Sequence, residues 1–453
     1  MARRSSGFVS LRIVLVRHGL SSFNLEHRIQ GRDDLSELTE AGADQARRAG
    51  QALADVPFCA AYTSPLRRAA ATAAALLESH GQPLEAQLRD DLLEIDLEPW
   101  SGLNRDELRE RFPQEEATWR QAPHQLELLR TDGSRYRPLG ELMDQAGEFR
   151  RFLLSQHAPA LSGADATVLV VAHNAILRCL ILTLLGRGAE GFRRLRVDNG
   201  SISVLNLSDG PAGITTQVES LNGIAHLGNP LPSAAGGTRL LLVRHGETDW
   251  NREGRFQGQI DIPLNANGQA QAEAAGVYLA PVAIDRAYSS VMARPRQTAE
   301  AILASHPGVP LTTTRGLVEI GHGLWEGRLE AEIAEGWPQL LADWKRAPET
   351  VEMPDGETIH AVWDRSVQTW ERIAGSLGPG ETALVVAHDA VNKTILCSLL
   401  GLSARDIWAI KQGNGGVTVI DYPQGGNRAP VIAAMNLTSH LGGVLDRTAA
   451  GAL

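Results

Sequence analysis

The sequence predicts two tandem α/β domains, each a three-layer αβα arrangement around a mostly parallel sheet. Three observations predict it. The tripeptide Arg-His-Gly occurs twice, at Arg17-His18-Gly19 and Arg244-His245-Gly246, each time closing an apolar, strand-like run. A common series of short motifs follows both tripeptides in the same order. Within each copy, short β-branched runs alternate with Ala-rich helical patterns, which implies parallel strands covered by helices on both faces.

The elements follow in order. Leu11 to Val16 and Arg239 to Val243 read as the first strand of each copy, with the histidine just beyond its carboxyl end, where an α/β sheet presents reactive groups. Asn24 and Asn251 follow at equal distance, then Gln30-Gly31 and Gln257-Gly258. A Gly-x-x-Gln-Ala pattern opens a helix in each copy, read as 41–53 and 269–279. Arg68 and Arg294 come next, each with a threonine four residues on (Thr72, Thr298), and 68–77 reads as a packed Ala-rich helix. Glu94 and Glu319 precede Trp100 and Trp325, which read as packing residues. Strands are expected at 167–172 and 382–387, ending at His173 and His388 before helices that start at Asn174 and Asp389. Asn199-Gly200 and Asn414-Gly415 close the series. The repeat is far longer than a solenoid unit of roughly 20–50 residues, so it marks duplicated domains. Domains are therefore expected at 1–228 and 238–453, joined by a Pro/Gly/small-residue linker at 229–237.

Composition narrows the function. A net charge of −10 over 453 residues argues against a nucleic-acid surface. Three cysteines without Cys-x-x-Cys spacing suggest neither a disulfide scaffold nor a zinc site, and all three read as small core residues. The basic start, Met1 to Ser6, lacks an apolar signal region. The apolar stretch 166–185 contains His173, Asn174 and Arg178, so it reads as a strand and a helix, not a membrane span. A cytoplasmic location is expected, with no membrane and no nucleic-acid partner. The sequence leaves an intrachain pseudo-dimer open.

Each copy supplies two arginines, two histidines, an asparagine and a glutamate, dispersed in sequence. The set suits phosphoryl transfer. Arginine offers always-charged bidentate donors to phosphate. A neutral imidazole can attack phosphorus once its other ring nitrogen donates to a fixed acceptor. A glutamate can protonate the leaving alcohol and then deprotonate water. No metal or cofactor motif is present, and none is expected.

These residues resemble the histidine phosphatase superfamily, the phosphoglycerate mutase-like family, over nearly the entire chain. The resemblance implies that fold in both halves. It implies His245 as the phosphorylated nucleophile, Glu319 as proton donor, and Arg244, Asn251, Arg294 and His388 as the phosphate pocket. In the first copy it implies His18, Glu94, Arg17, Asn24, Arg68 and His173. The segments between glutamate and second histidine look too short for the insertion that mutases carry, so hydrolysis of a small, sugar phosphate-like monoester is expected. Mutase-type transfer and a phospho-ligand-binding protein with one degenerate domain are the alternatives. The tandem form is similar to two-domain 2-carboxyarabinitol-1-phosphatase-like proteins. Copy one departs at Leu20 (Glu247 in copy two), in a Gln-Gly loop one residue longer, and at Glu98 to Ser101, so copy two is expected to be the main catalyst. His226 and His440 read as structural, and His322 as an exposed loop histidine.

Overall fold

The computed structural model describes residues 11–158, 165–210, 213–234, 236–424 and 429–448. The N-terminal segment Met1 to Ser6 and Ala235 of the expected linker lie outside the described residues. Contacts divide the chain into two compact units, 1–218 with 222–229, and 219–221 with 230–453.

The first unit contains strands β1 (Leu11–Arg17), β2 (Ala60–Thr63), β3 (Ala86–Leu88), β4 (Ala166–Ala172), β5 (Ile202–Gly210) and most of β6 (Gly213–Gly223). Its principal helices are α1 (Glu40–Ala52), α2 (Arg67–His80), α3 (Pro138–Gln156) and α4 (Asn174–Leu184). Their order across the sheet is β3-β2-β4-β1-β5-β6. Strands β1 to β4 are parallel and β5 runs antiparallel to β1. The chain advances from β1 to β3 through α1 and α2, then reverses through α3. Right-handed crossovers therefore set the packed pair α1/α2 on one face and the pair α3/α4 on the other.

The second unit repeats the plan. Its strands are β7 (Thr238–Arg244), β8 (Arg286–Ser290), β9 (Leu311–Thr314), β10 (Thr382–Ala387), β11 (Val417–Tyr422) and β12 (Val431–Leu437). Its helices are α5 (Ala266–Leu279), α6 (Ala293–Leu303), α7 (Ile359–Gly375) and α8 (Asp389–Leu400). Their order is β9-β8-β10-β7-β11-β12, with β7 to β10 parallel. Both faces of β7 and β10 are buried, which is why they read as unbroken apolar runs without alternation.

Two expectations are corrected. The segment expected as a linker contributes to a core: Leu231 joins the buried cluster of Leu241, Leu279 and Leu384, and Arg239 Nη1 donates to Pro232 O at 2.8 Å. A single apolar residue between prolines suffices, since Leu231 is buried in one cluster with Ala275 and Leu279 of α5. Cys59 is exposed, since it stands just before β2 at the sheet's rim, whereas Cys179 and Cys397 are buried as expected. The 166–185 stretch is a strand and a helix, and no described helix is long and apolar enough to cross a membrane.

The glycines of the repeated motifs meet backbone to backbone. A Cβ on Gly246 would fall 2.3 Å from Gly268 O, and one on Gly268 would fall 2.0 Å from Glu247 O. Gly19 and Gly42 show the same clash, at 2.2 Å each way. Here glycine is required by close approach, with no side chain free to yield. The N-cap Asn265 accepts from Gly268 N at 2.8 Å, and Gln271 accepts from Glu247 N at 2.8 Å, so the Gly-x-x-Gln motif anchors the loop after the histidine. Gly268→Ala is expected to lower the second unit's unfolding midpoint by several degrees, corresponding to about 1–3 kcal/mol of overpacking. Calorimetry checks it against Gly375→Ala, whose Cβ meets nothing within 4 Å and which should be neutral or stabilising.

Candidate active sites

The parallel register fixes the first requirement. Arg244 pairs with Ala387 across β7 and β10, and His245 N donates to Ala387 O at 3.1 Å, so His245 and His388 leave the sheet side by side. Their ring centroids lie 5.2 Å apart. In the first unit Arg17 pairs with Ala172, and the His18 and His173 centroids lie 5.1 Å apart.

His245 Nδ1 lies 2.7 Å from Gly246 O, and Arg294 Nε donates to His245 Nε2 at 3.3 Å. With Nδ1 donating to that carbonyl, Nε2 carries the lone pair. His245 is 2 % exposed. Burial, then Arg294, then Arg244 hold its pKa well below the usual histidine value, so the ring is neutral at pH 7. His18 repeats this: Nδ1 lies 2.7 Å from Gly19 O, and burial followed by Arg17 and Arg68 depresses its pKa. His388 is fully buried and neither ring nitrogen has a hydrogen-bond partner in the described protein. Such a buried polar ring costs about 1–3 kcal/mol unless a ligand satisfies it. His173 Nε2 lies 2.8 Å from Ser64 Oγ, and its Nδ1 is unpartnered.

The second arginine is aimed by the Gln-Gly loop. Arg294 Nη2 donates to Gly258 O at 2.9 Å and Nη1 to Ile260 O at 3.2 Å, turning Nε toward the histidine. Arg68 uses Gly31 O and Asp33 O, both at 2.8 Å. Thr298 Oγ1 accepts from Gly246 N at 3.1 Å and donates to Arg294 O at 2.9 Å, linking the arginine's helix to the histidine's loop. Thr72 does the same for Gly19 and Arg68. Sequence reasoning noted both threonines without a role, and missed the carbonyls altogether because backbone groups leave no residue signature.

Arg244 Nη1 donates to Gln412 O at 2.6 Å, and Arg17 Nη1 to Val197 O at 2.8 Å. Asn251 Oδ1 accepts from Thr248 N at 3.1 Å, closing a capping box, and from Asn414 Nδ2 at 3.4 Å. Asn24 Oδ1 accepts from Ser21 Oγ at 2.9 Å and Asn199 Nδ2 at 3.0 Å. Each asparagine's carbonyl is thus occupied both by its own loop and by the asparagine of the later Asn-Gly motif.

Glu319 Oε1 accepts from Ile320 N at 3.0 Å, and Oε2 from Ala390 N, at the start of α8, at 3.4 Å. Burial first, and the neighbouring Asp389 second, raise its pKa above the usual carboxylate value. Glu94 occupies the same place, accepting from Ile95 N at 2.9 Å and from Ala175 N at 3.1 Å and Ile176 N at 3.2 Å. Arg365, which sequence reasoning did not single out, braces this turn in the second unit by donating to Glu319 O at 3.0 Å and pairing with Glu357 at 2.9 Å. In the first unit Gln145 donates to Leu93 O at 2.7 Å and Arg32 to Glu94 O at 3.0 Å.

The remaining residues are placed as follows. His322 is buried, not exposed: its Nδ1 lies 3.0 Å from Met353 Sδ, its ring packs on Phe256 and Trp344, and burial pushes its pKa down to about 3. Two flanking glycines suggested a loop, but the loop folds inward under the aromatic cluster. His226 and His440 are bonded to backbone carbonyls, Gly200 O at 2.9 Å and Gly415 O at 3.1 Å. Trp100 and Trp325 are fully buried. Glu247 binds the N-cap residue Asn265 at 2.9 Å, while in the first unit Thr39 donates to Leu20 O at 2.7 Å. The Leu20 departure therefore alters a helix cap and removes no member of the six-residue set.

With this geometry in place, comparison with known proteins identifies the chain's relatives. The model of the histidine phosphatase superfamily (branch 1) matches residues 13–219 and 240–435. The chain is 29 % identical over 456 residues to 2-carboxy-D-arabinitol-1-phosphatase of Triticum aestivum, covering 95 % of this chain and 86 % of that protein. It is 30 % identical over 447 residues to a probable 2-carboxy-D-arabinitol-1-phosphatase of Arabidopsis thaliana, covering 95 % and 88 %. Phosphoserine phosphatase 1 of Hydrogenobacter thermophilus matches at 32 % over 204 residues, covering 45 % of this chain and 94 % of that protein. With both matched segments each carrying a complete set of paired histidines, arginines and a buried glutamate, the chain belongs to the histidine phosphatase superfamily and is a phosphoric monoester hydrolase.

Proposed function

We propose that each unit hydrolyses a small, sugar phosphate-like monoester through a phosphohistidine on His245 or His18. The observation that carries this reading is the His245 ring: Nδ1 faces a carbonyl at 2.7 Å, and Nε2 stands beside Arg294 at 3.3 Å, with the unpartnered His388 next to it. In the first step the Nε2 lone pair attacks phosphorus, the P–O bond to the alcohol breaks, and the Glu319 carboxyl gives its proton to the leaving oxygen. Arg244, Arg294, Asn251 and His388 stabilise the charge on the phosphoryl oxygens, where most of the catalysis of such transfers resides. In the second step Glu319, now a carboxylate, takes a proton from water as its oxygen attacks phosphorus. The N–P bond breaks, and inorganic phosphate and neutral His245 are restored. The raised pKa of Glu319 suits it to begin protonated. His18, Glu94, Arg17, Arg68, Asn24 and His173 take the corresponding roles in the first unit. The names of the relatives support a small phosphorylated substrate, since they include a sugar-acid phosphatase and a phosphoserine phosphatase.

Three outcomes are expected. Wild-type protein given a labelled phosphomonoester and quenched in alkali should carry acid-labile phosphate, and the His18→Ala/His245→Ala protein should carry none and lose at least about a thousandfold in turnover. Label that persists in the double variant would refute the covalent step. Glu319→Gln in the His18→Ala background should slow turnover of an alkyl phosphate by about 10²–10⁴-fold, and much less for p-nitrophenyl phosphate, whose leaving group needs no proton; steady-state rates on the two esters check this. The nucleophile's pKa is lowered, so it stays unprotonated as pH falls through 6.5. The ascending limb of kcat/KM for the His18→Ala protein should therefore lie below pH 6.5, and a midpoint at or above that value counts against a buried neutral His245.

A further inference from the structure

The two sites share their geometry and differ in charge beside the first arginine. Four equivalent positions read Arg244, Asp389, Lys393 and Trp408 in the second unit, and Arg17, Asn174, Arg178 and Arg193 in the first. Asp389 Oδ1 lies 3.4 Å from Arg244 Nη1 and its Oδ2 lies 2.9 Å from Lys393 Nζ, so one buried carboxylate serves both cations. The Lys393 ammonium also sits over the Trp408 ring at 4.9 Å. Asn174 supplies no charge: its Nδ2 donates to Val197 O at 3.0 Å, the carbonyl that Arg17 also uses.

Arg178 stands one helical turn beyond Asn174, over the Phe192 ring at 5.1 Å. Among the described residues no carboxylate lies within ion-pair distance of Arg17 or Arg178, and its buried Nε has no hydrogen-bond partner. Asp198, the carboxylate on the adjoining loop, pairs with Arg196 at 2.8 Å. Arg178 is close enough to Arg17 and Glu94 to feel both charges. Burial foremost, then Arg17, pushes its pKa down to about 10, so it remains a cation at neutral pH.

We propose that the first unit's site takes phosphomonoesters carrying a second anionic group, held by Arg178 beside Arg17, and that the second unit's site takes esters of uncharged alcohols. The proposal rests on the phosphatase reading above. Arg178 offers a planar fork that a carboxylate or phosphate matches. In the second unit that demand for an anion is already met by Asp389, which would also repel a substrate carboxylate. Arg178 is thus a specificity residue, not a catalytic one.

Single-site proteins test it. His245→Ala leaves the first site and His18→Ala the second, each followed with p-nitrophenyl phosphate. The competitors are 3-phosphoglycerate and glycerol 3-phosphate, which differ by a carboxylate in place of a hydroxymethyl group. At the first site 3-phosphoglycerate should bind about tenfold or more tightly than glycerol 3-phosphate, as one charged hydrogen-bonded contact provides. Asn174→Asp, nearly isosteric, and Arg178→Met should each erase that preference. At the second site the two inhibition constants should agree within about threefold, and Asp389→Asn should shift them toward 3-phosphoglycerate. Equal constants at the first site, or a preference surviving both Asn174→Asp and Arg178→Met, would overturn the proposal while leaving the phosphatase reading intact. Failure of the wild-type protein to hydrolyse p-nitrophenyl phosphate would overturn both.

Discussion

The register between two neighbouring parallel strands governs the chemistry of each unit. Because Arg244 pairs with Ala387 and Arg17 with Ala172, the residue after each strand emerges at one height on one edge of the sheet. A slip of one residue would turn a histidine to the opposite face and separate the rings. Register is secured by burial on both sides of these strands, since displacement would carry apolar side chains out of the core. The contact of Gly246 with Gly268, and of Gly19 with Gly42, then fixes the path of the chain just beyond the strand. The carbonyl that faces Nδ1 of the histidine belongs to that same glycine.

Burial and charge act together on the reacting groups. Arginines beside a histidine and a low-dielectric setting both disfavour the imidazolium, so a neutral ring at His245 and His18 is an intrinsic property of the fold. The same burial favours a protonated Glu319, and Asp389 adds to it. One physical cause, burial, thus lowers the pKa of His245 and raises that of Glu319. Burial pushes Arg17 and Arg294 down only to about 10, so both stay cationic at neutral pH.

The departures of copy one are largely exchanges of partner across a loop. In the second unit Glu326 accepts from Gln259 N at 2.8 Å. In the first, Ser101 stands at that place and the carboxylate comes from the longer loop, with Ser101 Oγ donating to Asp33 Oδ2 at 2.9 Å. The guanidinium bracing the glutamate turn likewise comes from Arg365 in one unit and Arg32 in the other. Read singly, each substitution looks like degeneration; read as contacts, each is compensated.

The sequence by itself determined the duplication and the α/β class and supplied the six polar residues of each candidate site, because these leave marks in residue type and order. Strand 382–387 is where the pattern put it, and the helix expected at 41–53 spans Glu40–Ala52. Helix 269–279 begins earlier, at Ala266, since its N-cap is Asn265, outside the apolar pattern. Tertiary structure alone decided which groups aim the site residues, for these are backbone carbonyls of Gly258, Gly31 and Gln412 and carry no side-chain signal. It alone decided that His322 is buried and Leu231 belongs to a core. It also decided that Asn174, in place of Asp389, stands beside Arg17 at the carbonyl of Val197. Such meaning depends on distance in space, which a linear pattern of residues does not specify.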